Sequence, residues 1–203
     1  MHLPVRTPQG VRLISFEMSP AFPREPAKDW HAFLAGRSST QQHDTVEFLE
    51  SAIKKFELYE RRGRFAATLS ALKTQVANNP NVDALGVITA TAPWFEGGAL
   101  AGFCQFRRTW CNHIVFDYLG IHPRLLAGSP REMVGLGTAL LYRIGLIASD
   151  FGARVVWGEA TDISSGYYAQ LFGLEEVLDL VVVERDDFLD AVKSAIDRLS
   201  KSQ

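Results

Sequence analysis

The segment Met133-Val134-Gly135-Leu136-Gly137-Thr138-Ala139-Leu140-Leu141 joins an apolar, strand-like run, Ile114 to Pro123, to an amphipathic one. In the latter, Leu140, Ile144, Ile147 and Phe151 recur at spacings of four, three and four on one helical face. A strand, a Gly-x-Gly turn and a helix start together make an anion site. The first turn of a helix has N–H groups without partners and a partial positive charge, and glycines let a phosphate come close to the backbone. The N–H groups of Gly135, Leu136, Gly137 and Thr138 are the expected cradle, with Arg131 adding charge. A phosphorylated ligand is the chemistry this pattern points to. Two further groups can hold or move protons: the pair Tyr167-Tyr168, and Asp117, set in an apolar run that makes a carboxylate a stronger base.

The elements that must position these groups follow from periodicity. Val11 to Met18 reads as a strand, followed by a loop with Pro20, Pro23 and Pro26 and a short helix from Asp29 to Gly36. Asp44 and Glu47 have capping-box spacing, which predicts a helix to Arg61 with Val46, Leu49, Ile53 and Phe56 on one face. A second helix carries Phe65, Leu69, Leu72 and Val76 and stops at Asn78-Asn79-Pro80. Ala84 to Thr91 and Ala99 to Trp110 read as strands joined through a turn at Gly97-Gly98. His113 to Ile121 is apolar on both faces and reads as a central strand. A strand at Arg154 to Ala160, a short helix around Tyr168, a strand at Glu175 to Glu184 and a helix capped by Asp186-Asp187 complete the order. That order predicts an α/β (α+β) fold, a mixed, mostly antiparallel sheet flanked by helices, in a single domain over residues 1–203.

On these residues the chain resembles the GNAT superfamily, the acyl-CoA-dependent N-acyltransferases. In that family a strand ending in Val-x-Pro precedes a Gln/Arg-x-x-Gly-x-Gly/Ala turn that opens a helix. Here Ile121-His122-Pro123 and Gly135-Leu136-Gly137 stand at those places. The family continues with a strand, a short helix carrying a Tyr, and Gly-Phe. Arg154 to Ala160 and then Ser164 to Leu174 fit that continuation. The likeness covers the last half of the chain by motif and the first half by element order. There are departures. Glu132 stands where the family has Gln or Arg, and the loop from Pro123 to Gly135 is longer than usual. The tyrosine spacing is one residue longer, so either Tyr167 or Tyr168 takes the family's tyrosine position, and a helix replaces or follows the second of the family's two final strands.

The resemblance implies a strand, here through Leu119, Gly120 and Ile121, that splays from its neighbour and hydrogen-bonds the pantetheine arm of CoA like an added strand. It implies acetyl-CoA as the acyl donor and direct transfer of an acetyl or related group to a primary amine. A departing thiolate needs a proton donor, for which Tyr168 is preferred and Tyr167 is the alternative. The amine needs a base. Asp117, two residues before Leu119 on the same strand face, is the candidate, with Glu159 and Asp162 as competitors. The alternative function is a catalytically silent acyl-CoA- or CoA-binding module. A third is an interaction protein using an exposed Trp94-Phe95 patch. The helices between Asp44 and Asn79, where the family builds its acceptor pocket, carry no acceptor signature.

Composition narrows the rest. The 203 residues are 47% hydrophobic and 22% charged, ordinary values for a globular protein. A net charge of −2 gives no basic field for nucleic acid. No apolar run reaches the roughly 18 residues of a membrane span, and Met1 to Arg6 lacks a secretory apolar region. Cys104 and Cys111 read as unpaired thiols of a reducing compartment, so a cytoplasmic location is expected. The five histidines have no metal-ligand spacing, and His122 reads as a loop residue. No Gly-x-Ser-x-Gly elbow and no Walker lysine is present. The expected partner is a small-molecule or peptide amine, with no nucleic acid, membrane or metal and a homodimer as a possible assembly.

Overall fold

Seven strands, β1 (His2–Thr7), β2 (Gly10–Met18), β3 (Ala84–Thr91), β4 (Leu100–Arg108), β5 (Ile114–Ile121), β6 (Val155–Glu159) and β7 (Leu180–Glu184), form one sheet in chain order. Every neighbouring pair is antiparallel except β5 and β6, which are parallel. The computed structural model describes residues 1–34, 40–96, 100–126 and 132–201, excepting the side chains of 25–28, 34 and 40–42. A parallel pair needs a crossover. It is made by α4 (Pro123–Leu126) and α5 (Leu136–Asp150). The remaining described helices are α1 (Arg24–Leu34), α2 (Thr40–Arg61), α3 (Leu69–Asn78), α6 (Asp162–Phe172) and α7 (Arg185–Lys201).

Two clusters hold the layers together. Leu136, Leu140, Ile144 and Ile147 of α5 pack with Phe188, Val192 and Ile196 of α7 against one face of the sheet. Trp30 of α1 and Leu49 and Phe56 of α2 pack with Leu85, Val87 and Phe103 on the other. The strand alternation explains the division, since successive side chains leave a strand on opposite faces.

The sheet opens at one place. β5 and β6 share three rungs, ending at Phe116 opposite Gly158, and beyond them β5 runs on to Ile121 without β6 beside it. Gly158 is required there, because a Cβ would lie 2.3–2.6 Å from the Phe116 ring. On its other side β5 stays paired with β4, but the register slips: Phe116 pairs Phe106 and Tyr118 pairs Gln105. Asp117 is therefore an extra, bulged residue, and a bulge bends its strand and adds twist. Its carboxylate is 6% exposed and triply held. Arg107 donates from Nε and Nη2 at 2.8 Å each, and Lys55 Nζ lies 2.9 Å away. This overturns the expectation of a base in apolar surroundings: β4 and α2 supply two cations that neutralise Asp117 and pin the bulge.

Other local expectations shift by identifiable causes. β1 carries Leu3, Val5 and Thr7 inward, a period of two interrupted in sequence by Pro4. As the edge strand it tolerates a residue without an N–H. Asp44 lies inside α2, not at its cap, because the helix already begins at Thr40. Phe65 bridges Leu85 in the sheet, and α3 starts only after Thr68, whose side chain accepts from Ala71 N–H at 3.1 Å. Asp186 and Asp187 lie in the first turn of α7, where carboxylates favour the helix. The Trp94-Phe95 patch is not exposed: Phe95 is 7% exposed, and Trp94 Nε1 donates to the Leu13 carbonyl at 3.3 Å. The Gly97-Gly98 turn lies outside the described residues.

Asp117→Ala removes the ion-pair partner of Lys55 and leaves Arg107 with Asp83 alone, 3.3 Å from its Nη1, so it should lower unfolding stability by roughly 2–4 kcal/mol in urea titration. A loss under about 1 kcal/mol would show that the bulge is held by something else.

Candidate active site

The strand edge exposed by the opening can be read rung by rung. In an antiparallel pair, residues alternate between directing both backbone groups at the partner strand and away from it. His122 N–H donates to the Ala101 carbonyl at 2.9 Å. His122 and Gly120 therefore face β4, and Leu119 and Ile121 direct their N–H and C=O groups to the open side. The Ile121 carbonyl is taken by the Thr45 hydroxyl at 3.2 Å. Among the described residues, the Leu119 N–H, the Leu119 carbonyl and the Ile121 N–H have no partner and form an open edge, a template for an added extended chain.

That edge leads to the start of α5. Gly135 is the N-cap, with φ +94° and no side-chain cap, and the first intrahelical bond is donated by Ala139 to the Gly135 carbonyl. The N–H groups of Leu136, Gly137 and Thr138 thus have no helix partner. The turn is fastened from behind, since Arg6 of β1 and Val134 exchange backbone bonds of 3.0 and 2.8 Å.

The two glycines have different reasons to be there. A Cβ on Gly135 would meet Leu199 Cδ1 of α7 at 2.2 Å, on a left-handed backbone that disfavours side chains anyway. A Cβ on Gly137 would meet only Ile121 Cδ1 at 3.4 Å and Leu119 Cδ2 at 3.9 Å, ordinary contacts. No described residue needs Gly137 to lack a side chain. The space it leaves free lies in the cleft, beside the open edge, where an anion would approach the helix.

One cleft of about 550 Å³ connects these features. Leu119, Ile121, Gly135, Leu136, Gly137, Thr138, Tyr167, Tyr168 and Asp117, all expected at a site from sequence, line it. Gly120 does not; its missing Cβ makes room for the Phe103 ring, 2.4 Å from where that atom would sit. Arg131 lies outside the described residues. Glu132, at a position where a carboxylate would repel phosphate, is neutralised by Arg124, whose Nε donates to both its oxygens at 2.9 Å. Sequence reasoning missed Phe48, Thr161 and Ser164 as lining residues, and Ala195 and Leu199 of α7. These reach the cleft through tertiary packing that no local spacing announces.

The two tyrosines differ. The Tyr167 hydroxyl hydrogen-bonds Thr138 Oγ1 at 2.9 Å, beside the anion turn, with its ring 41% exposed. Tyr168 is 5% exposed, between Phe116 at 5.7 Å and Phe172 at 6.4 Å. Burial pushes its phenol well above the usual tyrosine range, so it is protonated at neutral pH. A protonated phenol bordering the cleft, a strand edge and a helix N-terminus are what a thioester of an extended, phosphorylated arm would meet.

The mixed, mostly antiparallel sheet flanked by helices and the opening beside β5 are those the resemblance implied, and β1 is a strand beyond the expected order. The fold is GNAT-like. No protein-family model matches this chain, and no curated protein matches it. Among solved structures, it is similar to a putative acetyltransferase of the GNAT family from Desulfovibrio desulfuricans, at 12% identity over 85% of this chain and 99% of that one, with a TM-score of 0.45. It is similar to PaiA N-acetyltransferase from Thermoplasma acidophilum in complex with coenzyme A, at 17% identity over 78% and 87% of the two chains, TM-score 0.39. It is also similar to nourseothricin acetyltransferase, at 20% identity over 44% of this chain and 48% of that one, TM-score 0.35. With TM-scores below 0.5, these likenesses carry none of the residue assignments, which rest on the geometry above.

Gly137→Ala should fold with at least the parent's stability, since alanine favours helix, and lose at least about 10-fold in CoA affinity. Gly137→Glu should abolish binding. Gly135→Ala should instead lower stability by roughly 1–3 kcal/mol. Thermal melts and calorimetric titration separate the two. Equal behaviour of the two alanine variants would contradict the division of roles.

Proposed function

We propose that the chain is an N-acyltransferase that takes acetyl-CoA and passes its acetyl group to a primary amine. One observation carries this: a strand edge opened by a pinned bulge leads to an uncapped helix start whose second residue is a glycine that no described residue requires. Acetyl-CoA, when bound, supplies an activated thioester carbonyl. Leu119 and Ile121 would hold the amides of its arm, and the N–H groups of Leu136, Gly137 and Thr138 its pyrophosphate. The Tyr167–Thr138 hydrogen bond braces the turn beside those N–H groups. Tyr168 keeps its proton and borders the cleft, so it can give that proton to a leaving thiolate. The protein's contribution is position and electrostatics.

Cys104 and Cys111 are both free thiols, and among the described residues no helix is long and apolar enough to cross a membrane. The free thiols fit a single catalytic domain working in a reducing compartment such as the cytoplasm. The second reading, a silent CoA-binding module, is favoured by Asp117 alone: the expected base is committed to Arg107 and Lys55.

Calorimetry with acetyl-CoA should give micromolar affinity, and no heat and no thermal shift with any acyl-CoA would remove the transferase reading. Tyr168→Phe should lower turnover about 10²-fold with CoA affinity kept, measured by thiol release once an acceptor is in hand. Normal rates in Tyr168→Phe with a deficit in Tyr167→Phe would move the acid to Tyr167. Binding without turnover on any amine would establish the silent module.

A further inference from the structure

We propose that the acceptor is a monocationic amine carried on a flat apolar body, of the arylalkylamine kind, and that Glu159 receives its ammonium group. This rests on the transferase reading and names the substrate class of the same cleft.

Glu159 is the residue after the last rung of the β5–β6 pair, at the point where the sheet opens. Gly158, before it, faces Phe116, which packs on Tyr168 and Phe188. By strand alternation Glu159 faces the opposite side, that of α2. Tyr118 faces the same side, with Phe48 of α2 at 6.3 Å between ring centroids and Lys55 Nζ 5.5 Å from its ring. Glu159, Tyr118 and Phe48 all line the cleft. The carboxylate is close enough to Tyr118 to hold that phenol's proton on more tightly, after burial and Asp117. The acid and the acceptor groups thus sit on opposite faces of the opening, Tyr168 on one and Glu159 on the other.

The charge inventory sets the class. Among the described lining residues, only Asp117 and Glu159 carry charge. Asp117 is neutralised by Arg107 and Lys55. The Glu159 carboxylate makes no hydrogen bond or ion pair with any described residue, and the residue is exposed. One uncompensated carboxylate matches one ammonium. Among the described lining residues, a polyamine or aminoglycoside would find no second uncompensated anion, and the carboxylate of an amino acid no cation. Tyr118, Phe48 and Ile163 line the cleft with Glu159, and their apolar surfaces suit a flat apolar body more than a sugar or a peptide.

Titrate the CoA-loaded protein with 2-phenylethylamine, spermidine and L-lysine by calorimetry, and assay each with acetyl-CoA by thiol release. 2-Phenylethylamine should bind and be acetylated with a kcat/KM at least 10-fold above either other amine. Glu159→Gln should melt like the parent, bind acetyl-CoA equally and lose at least 10-fold in 2-phenylethylamine affinity, with partial recovery in Glu159→Asp. Preference for spermidine or lysine overturns the proposal, as does unchanged amine affinity in Glu159→Gln. A protein that binds acetyl-CoA but takes none of the three amines overturns this acceptor class and leaves the CoA site standing. Failure to bind acetyl-CoA overturns both.

Discussion

Asp117 is one residue too many in β5, and the way its carboxylate is held decides where the sheet opens. The register between β4 and β5 slips across it. Arg107 grips it from the neighbouring strand and Lys55 from the helix above. A forked guanidinium and an ammonium on one nearly buried carboxylate leave it little freedom to move. The bulge therefore cannot relax into continuous pairing with β6, and the ladder ends at Phe116 and Gly158. The unpaired groups of Leu119 and Ile121 follow from that, and so does the room between β5 and the first turn of α5. A carboxylate that reads as chemistry in the sequence acts as a wedge in the structure.

The C-terminal helix completes the site from below. Its Leu199 packs into the left-handed turn at Gly135, and Val134 just before it is sewn to Arg6 of β1. The helix start is thus fixed by two elements distant in sequence, one at each end of the chain. Rigid support of this kind lets N–H groups point at a ligand without paying for their ordering at each encounter. Gly137 is the exception within the turn. Its missing side chain answers to no described residue and leaves space in the cleft.

Much of this was legible in the residues. The Gly-x-Gly turn, the long apolar stripe after it and the strand before it have strong local periods, and the structure places all three as expected. What was not legible depended on contacts between elements. The edge strand β1 is short and contains Pro4, so its alternation was faint. The start of α2 was misplaced because a capping pattern at Asp44 is a local signal, and helix extension to Thr40 overrode it. The surroundings of Asp117 could not be seen, because Arg107, ten residues away, reaches it only through the register of the β4–β5 pair, and Lys55, far along the chain, only after the sheet and α2 have met. The contribution of α7 to the cleft was hidden for the same reason.

We propose that the open edge of β5, and not merely a pocket near it, takes the extended arm of CoA. Amide hydrogen exchange resolved by residue tests it directly, with CoA added to the folded protein. The N–H groups of Leu119 and Ile121 should become strongly protected together with those of Leu136, Gly137 and Thr138. Gly120 and His122, which already face β4, should change little. Protection confined to other strands, or equal at Leu119 and Gly120, would contradict the edge-binding geometry.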